Sequence, residues 1–264
     1  MFSIRITRLA KIRTTPCGDD HLESLRKGTW NLELLEKASA GKNAMNPHIP
    51  QSEAGYAIYT PRNLALYDAW VLSFSNRWAW QCPTPVISRL YESQLTANHL
   101  DVGVGTGYFL DRSRVLNRFS EVRLGLMDRN PHVLGLAASR LQRYQPEIHE
   151  HNVLEPCNSP TATFDSIACN YLLHCLPGPL PQKCRIFDHL QLLRSPDSTV
   201  FGSTILNTGT ATNWLGRQLL RSYNRRGIFS NQTDDLTTLR NELENRFDMV
   251  DIELIGCVAI FKLR

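Results

Sequence analysis

Three glycines at alternate positions, Gly103, Gly105 and Gly107, form the part of the sequence whose spacing points most directly to chemistry. They follow a short apolar stretch at 99–102 and precede a segment that is predicted to be helical. Glycine is required where the backbone takes a positive φ angle, or where it lies against a ligand with no Cβ in between. The first N–H groups of a helix have no partner within the helix. The pattern therefore predicts a turn whose backbone binds a ligand.

The spacing of these glycines disfavours two common nucleotide-binding motifs. A nicotinamide-binding G-x-G-x-x-G pattern would place its third glycine at Tyr108, and no G-K-[ST] follows to form a phosphate-binding loop. The remaining pattern, Asp-x-Gly-x-Gly-x-Gly from Asp101 to Gly107, resembles the first motif of class I S-adenosylmethionine-dependent methyltransferases. The resemblance implies that Asp101 and the three glycines bind the methionine half of S-adenosyl-L-methionine. An ordinary tight turn, with Asp101 as a cap, is the alternative.

Apolar residues along the chain alternate between the short period of strands and the longer period of helices. Strands are predicted at 98–102, 123–127, 148–153, 166–170, 199–205, 249–254 and 258–263, and helices from about residue 108 and at 132–144, 183–193 and 236–247. This alternation predicts a doubly wound α/β fold. The seven strands, with a hairpin-like pair at the end, resemble the Rossmann-like methyltransferase sheet, which is mostly parallel with an antiparallel last strand.

The sequence before the glycine turn divides into two parts. Residues 1–50 are polar and weakly patterned, which predicts a poorly ordered or weakly helical extension. Residues 51–97 are predicted to form a helical lid or cap, with helices at 60–80 and 86–95, and residues 98–264 form the S-adenosylmethionine-binding core. Tyr59 and Tyr67 are candidate lid residues, because aromatic faces suit a sulfonium or a planar acceptor. Core packing is the alternative for these aromatic residues.

Polar residues follow the second and third predicted strands. In an open parallel sheet, ligands bind beyond the carboxyl ends of the strands. Asp128 lies about twenty residues after Gly107, where a carboxylate can accept hydrogen bonds from both hydroxyls of a ribose. A cap on the helix that begins near Pro131 is the alternative. Asn152 stands where similar methyltransferases usually carry an aspartate that holds the exocyclic amine of adenine; a plain turn residue is the alternative.

The segment 164–178 resembles the fourth strand of this family and the loop that follows it. The resemblance implies that Asn170 lies near the cofactor and that His174 lies beside its sulfonium, facing the acceptor. A histidine there is a candidate to take a proton from an acceptor hydroxyl, because its ordinary pKa is near neutral. Packing or capping of the loop is the alternative. Cys175 and Cys184 are close to His174 in sequence, but no four-ligand set accompanies them, and no metal is expected.

The segment 207–227 follows the fifth predicted strand, where this family usually varies to fit its acceptor. Trp214 and Tyr223 are its candidate acceptor-binding residues. A solvated loop with a helix is the alternative.

Composition limits the expected partners and compartment. The net charge is +4 with basic and acidic residues interspersed, so neither nucleic acid nor another polyanion is an expected partner. The seven cysteines form no C-x-x-C pair and no secretory signal is recognised, which favours free thiols in a reducing compartment. No apolar run approaches the ~20 residues that span a bilayer. We expect a cytoplasmic protein, with a mitochondrial location as the alternative because the basic residues 1–16 resemble a transit segment.

These patterns together predict an S-adenosylmethionine-dependent methyltransferase that acts on a small-molecule acceptor. The chain resembles the small single-domain methyltransferases of bacterial and fungal secondary metabolism, including polyketide pathways, which implies O-methylation. Methylation of nitrogen or carbon, and cofactor binding without methyl transfer, stay open. A nicotinamide enzyme is disfavoured by Tyr108 and by the antiparallel-looking last strands, and a nucleic-acid methyltransferase lacks its N-P-P-[YF]-like motif here.

Overall fold

The computed structural model describes residues 69–157 and 162–264, with side chains from residue 74 onward. Seven strands in these ranges form one sheet in the order β3-β2-β1-β4-β5-β7-β6. They are β1 (Asn98–Val102), β2 (Arg123–Asp128), β3 (Glu147–Glu150), β4 (Phe164–Asn170), β5 (Arg194–Ile205), β6 (Val250–Ile255) and β7 (Val258–Leu263). Strands β1 to β5 are parallel, and β7 runs antiparallel to both of its neighbours, β5 and β6.

Helices connect the strands and cover the sheet. They are α1 (Ala69–Ala79, a π-helix), α2 (Thr84–Gln94), α3 (Tyr108–Arg112), α4 (Pro131–Arg140), α5 (Leu180–Lys183), α6 (Arg185–Leu190), α7 (Trp214–Arg225) and α8 (Leu236–Glu244). Short 3-10 turns lie at Leu116–Arg118, Gln142–Tyr144, Leu173–Cys175 and Gln191–Leu193. None of the helices in the described ranges is both long and apolar enough to cross a membrane.

The sheet is the middle of three layers, with a separate hydrophobic core on each face. Buried side chains of α2, α3, α4 and α7 form one core, and those of α5, α6 and α8 form the other. Neighbouring strand residues alternate between them: Leu126 packs into the first core and Met127 into the second. A strand covered on both faces must be apolar on both faces, which explains the continuous run of apolar and glycine residues at 124–127 in β2.

The predicted fold is confirmed: a doubly wound, seven-stranded, mostly parallel sheet with an antiparallel last strand. The sharp reversal between β6 and β7 uses Gly256 at a φ of +60°, where an added Cβ would lie 2.2 Å from the carbonyl oxygen of Trp80. Strand order changes direction at β1, because β2 and β3 lie on one side of it and β4 and β5 on the other. The ligand crevice of an open sheet lies at such a switch point.

Element boundaries differ from the predictions in several places, and β5 begins at Arg194 rather than at residue 199. The third strand ends at Glu150 rather than at residue 153, and a turn follows in which the Glu155 N–H donates to the carbonyl of Asn152 at 2.8 Å. The helix predicted at 132–144 ends at Arg140, and Gln145 beyond it has a φ of +48°. The helix predicted at 183–193 is divided into α5, α6 and a 3-10 turn. The division of the chain at residues 50 and 97 stays a prediction.

Candidate active site

The glycine turn joins β1 to α3 with a left-handed backbone. Gly103, Gly105 and Gly107 have φ angles of +69°, +54° and +68°. Residues other than glycine rarely adopt such positive φ angles. The Gly103 N–H donates to the carbonyl of Met127 at 2.8 Å, so the turn is fixed to β2. A Cβ added at Gly105 meets no described atom within 4 Å. The backbone at Gly105 therefore presents an open surface on the carboxyl edge of the sheet.

Strand register brings two predicted polar residues level with this turn. Asp101 pairs with Leu126 on one side and with Ala168 on the other. Asp128 and Asn170 each lie two residues further along their strands, as Gly103 does along β1. The structure therefore brings the glycine turn, Asp128 and Asn170 together at the switch point of the sheet.

Asp101 is directed into the protein. Its side chain is buried, and its Oδ2 accepts a hydrogen bond of 2.8 Å from the hydroxyl of Tyr91 on α2. The Nε2 atom of buried His99 lies 4.0 Å from the same oxygen. Burial, and then the negative charge of Asp101, raise the pKa of Tyr91 well above its ordinary value, so the hydroxyl keeps its proton and donates. Asp101 fixes the end of β1 against α2, and its direct contact with a cofactor stays a prediction.

Asp128 is half-buried at the end of β2. Its Oδ1 accepts a hydrogen bond of 2.9 Å from the Asn130 N–H. The cap of α4 is Asn130, whose Oδ1 accepts from the His132 N–H at 2.9 Å, so the helix-cap alternative for Asp128 is wrong. Burial raises the pKa of Asp128 more than the Asn130 and Arg129 N–H groups lower it, and the nearby charge of Asp101 raises it further. Asp101 and Asp128 are thus close enough to interact electrostatically.

Asn170 ends β4 beside the turn. Its Oδ1 accepts a hydrogen bond of 3.0 Å from the Ser203 hydroxyl on β5, and the side chain is buried. Its Nδ2 has no hydrogen-bond partner among the described residues. The Asn170 side chain also acts on the Tyr91 hydroxyl, where it lowers the pKa against the larger effect of burial.

Asn152 lies in a turn after β3, which is the role that the sequence analysis gave as the alternative to binding adenine. Its Oδ1 accepts from the Leu154 N–H at 3.3 Å, and its Nδ2 donates to Glu155 Oε1 at 2.8 Å. These contacts stabilise the loop after β3. An amide oxygen can accept two hydrogen bonds, so binding to adenine stays a prediction.

His174 lies in the 3-10 turn after β4 and is 3% exposed. Its Nδ1 accepts a hydrogen bond of 3.3 Å from the Ile205 N–H, which assigns the proton of the neutral ring to Nε2. The ring packs edge-on against Phe229 with centroids 4.4 Å apart. Burial, and then the charge of Lys183, lower the pKa of His174 to about 3. This environment favours the packing interpretation, and the proton-acceptor role stays a prediction.

The predicted lid and acceptor residues have different outcomes. Tyr59 and Tyr67 lie outside the described residues. Trp214 begins α7 and is 68% exposed. Tyr223, on the same helix, packs against Phe229 with ring centroids 4.9 Å apart. Asn213 caps α7 and donates to the Trp78 carbonyl at 2.6 Å, which anchors α7 to α1. The acceptor-binding role of Trp214 and Tyr223 stays a prediction.

Four residues that sequence reasoning did not single out hold the site together. Tyr91 and Ser203 bond Asp101 and Asn170, as described above, and Lys183 and Asp234 form a buried ion pair behind His174. Tyr91 and Ser203 fall within predicted helix and strand, where nothing distinguishes them from other packed residues. Lys183 and Asp234 carried no signal either, because both stand among other polar residues in the sequence.

The fold and site define a class of protein: an α/β domain that binds a ligand over a glycine turn at the switch point. Comparison with known proteins narrows this class. A methyltransferase-domain family model matches residues 100–199. The physcion biosynthesis cluster O-methyltransferase of Aspergillus chevalieri is 38% identical over 218 residues, which cover 82% of this chain and 97% of that protein. The demethylluteothin O-methyltransferase of Streptomyces thioluteus is 36% identical over 208 residues, covering 79% of this chain and 90% of that protein.

Solved structures agree with this assignment at the level of the fold. An O-methyltransferase family protein from Burkholderia thailandensis superposes with a TM-score of 0.50 at 18% identity. The match covers 68% of this chain and 57% of that one. The chain belongs to the class I S-adenosylmethionine-dependent methyltransferase family, and it is a methyltransferase.

Proposed function

We propose that this chain transfers a methyl group from S-adenosyl-L-methionine to a hydroxyl oxygen of a small-molecule acceptor. The observation that carries the proposal is the left-handed glycine turn placed level with Asp128 and Asn170 at the switch point. The choice of oxygen is supported by the two relatives described above, both of which are O-methyltransferases.

The residues at this edge fit S-adenosyl-L-methionine. The open backbone surface at Gly105 leaves room for a ligand to lie against the turn. The Asp128 carboxylate suits the two hydroxyls of a ribose, because two carboxylate oxygens together offer about four acceptor positions. Asn170, at the end of β4, would lie beside the ligand at this edge of the sheet.

The side chains of this protein would act mainly by binding and orientation. When bound, S-adenosyl-L-methionine supplies an electrophilic methyl group on a positively charged sulfur. The glycine turn and Asp128 would hold the donor, and the ends of β4 and β5 would hold the acceptor oxygen in line with it. Orientation and exclusion of water alone account for much of the acceleration of a displacement of this kind.

Proton removal from the acceptor hydroxyl needs no strong base in this arrangement. Bound S-adenosyl-L-methionine would supply the methyl group and leave as neutral S-adenosylhomocysteine, and the acceptor hydroxyl would give its proton to water as it enters the site. The lowered pKa of His174 makes its ring a poor proton acceptor near neutral pH. An acidic hydroxyl, such as a phenol or an enol, suits this site because it ionises in water without strong assistance.

We infer that the acceptor belongs to secondary metabolism of the polyketide type, as expected from the sequence. A test is to incubate the full chain with S-adenosyl-L-methionine and a panel of hydroxylated acceptors that includes demethylluteothin. Formation of S-adenosylhomocysteine and the mass of the product are the readouts. Matched acceptors with the hydroxyl replaced by an amine, or already methylated, serve as controls. A product methylated at nitrogen or carbon would contradict the O-methylation proposal.

Binding is tested separately from transfer. A ligand that binds the native state raises the melting temperature by mass action. We expect S-adenosylhomocysteine to raise it, and NADH not to. The absence of a shift at millimolar S-adenosylhomocysteine would contradict the proposed cofactor.

A further inference from the structure

A buried ion pair lies behind His174. Lys183, the last residue of α5, places its Nζ 2.6 Å from Oδ2 of Asp234, and both side chains are 0% exposed. The other carboxylate oxygen of Asp234, Oδ1, has no hydrogen-bond partner among the described residues. Removing two charges from water is unfavourable, and apolar residues of similar size often give a more stable protein. A contribution to stability alone therefore does not explain why this buried ion pair is present.

The pair joins segments that follow different strands. Lys183 Nζ also donates to the carbonyl of Ser230 at 2.5 Å, and the Ser230 N–H donates to the carbonyl of His174 at 2.8 Å. The carbonyl of Asp234 accepts from the N–H groups of Asn207 and Thr208 at 3.1 Å and 3.0 Å. Lys183 and Asp234 thus tie the loop after β4 to the loop after β5.

Residues 230–234, which we call the bridging segment, are held at a further point. Asn231 is 0% exposed, and its Nδ2 donates to the carbonyl of Ile205 at the end of β5 at 2.8 Å. Asn224 on α7 donates through its Nδ2 to Asn231 Oδ1 at 2.8 Å. The bridging segment is therefore fixed to β5 and α7 as well as to the His174 loop.

The bridging segment lies on the side of the sheet where we propose that the acceptor binds. The glycine turn follows β1. The bridging segment instead contacts the loop after β4 and the end of β5, which lie to one side of β1 in the sheet. Phe229, next to this segment, packs on His174. The charge of Lys183 contributes to the environment of that ring.

We propose that Lys183 and Asp234 are positioning residues for the acceptor: their ion pair holds the bridging segment and the His174 loop in the arrangement that receives the acceptor oxygen. The inference rests on the proposed function, because it assumes that the acceptor binds beyond β4 and β5. It predicts that loss of the pair weakens acceptor binding and leaves cofactor binding intact.

The test compares two double variants of the full chain. Lys183→Met with Asp234→Asn removes both charges together, which avoids leaving one buried charge unpaired. Lys262→Met with Asp251→Asn makes the same chemical changes at an exposed ion pair of 2.9 Å between β6 and β7. Each single variant of the buried pair is expected to lower the melting temperature more than the double variant does.

Acceptor and cofactor affinities are then measured for each protein. In the buried-pair double variant, we expect the KM for the acceptor to rise at least tenfold and the Kd for S-adenosylhomocysteine to stay within twofold. The exposed-pair variant should change neither. An unchanged acceptor KM, or a parallel loss of cofactor affinity, would overturn the proposal, because the pair would then be a general stabiliser of the core.

Hydrogen exchange gives a readout that does not need turnover. The amides of Asn207, Thr208 and Ser230 should lose protection in the buried-pair variant, whereas the Gly103 amide beside the cofactor site should keep it. Retained protection at all three amides would reject the positioning role. If the wild type methylates no acceptor but these amides lose protection, the proposed function fails while the structural role of the pair stands.

Discussion

The buried imidazole of His174 should make the stability of the fold depend on pH. Its pKa is about 3 in the folded protein, against an ordinary value of 6.5 in an unfolded chain. Between these values, the unfolded chain binds a proton that the folded protein does not bind. The contribution of neutral His174 is therefore complete above pH 6.5, and it is lost progressively as the pH falls towards 3.

The magnitude follows from the two pKa values. Each pH unit below 6.5 lowers the free energy of unfolding by about 1.4 kcal/mol, so the loss through His174 reaches about 2 kcal/mol at pH 5. His174→Asn removes the titration, and its side-chain oxygen can accept the hydrogen bond that Nδ1 accepts from the Ile205 N–H. We expect this variant to be less stable than the wild type at pH 7 because it loses ring packing.

The assay is urea denaturation of the wild type and the variant at pH 7, 6 and 5. The gap in free energy of unfolding between them should shrink by about 2 kcal/mol from pH 7 to pH 5. Only the difference is interpreted, since other groups titrate in both proteins. His132→Gln, at an exposed histidine on α4, is the matched control and should follow the wild type. A gap that stays constant across this range would refute the argument that His174 is held neutral by burial.

Three further predictions concern the cofactor side. Gly105→Val should abolish S-adenosylhomocysteine binding, whereas Gly209→Val, at another positive φ with no described atom near an added Cβ, should preserve it in the same melting-temperature assay. Asp128→Ala should weaken S-adenosylhomocysteine binding by about 1.5–3 kcal/mol by calorimetry, the scale of a hydrogen bond to a charged group; affinity equal to the wild type would place the ribose elsewhere. Tyr91→Phe should lower the free energy of unfolding by about 1.5–3 kcal/mol, because it deprives a buried carboxylate of its donor. Tyr144→Phe, which removes a similar hydroxyl bond from an exposed site, should lower it by well under 1 kcal/mol.

The sequence was informative where a function depends on residues close together in the chain. The glycine turn needs only a strand, three glycines and a helix start, and these are consecutive. Asp128 and Asn170 could be predicted because each ends a strand that lies next to β1 in a doubly wound sheet. Their convergence with the turn then follows from the parallel register.

The sequence was less informative where polar contacts replace apolar periodicity. The first residues of β5 were missed because polar Ser195 and Asp197 flank Pro196, which has no backbone N–H to donate within a sheet. These residues belong to a bulge, since the pairing with β4 moves from Arg194 to Thr199 while β4 advances by only two residues. Arg194 holds this bulge through a bond of 2.9 Å to the Ser198 hydroxyl.

The two halves of the site differ in how their geometry is determined, and this difference explains why the acceptor is harder to predict than the cofactor. The cofactor side is built from backbone conformation within one turn, which local residue types dictate. The acceptor side depends on Lys183 and Asp234, 51 residues apart, and on segments that meet only after β4, β5 and α7 have packed. Substitutions in the bridging segment can therefore change the acceptor pocket without disturbing the glycine turn, so acceptor preference can vary among proteins that share the same turn.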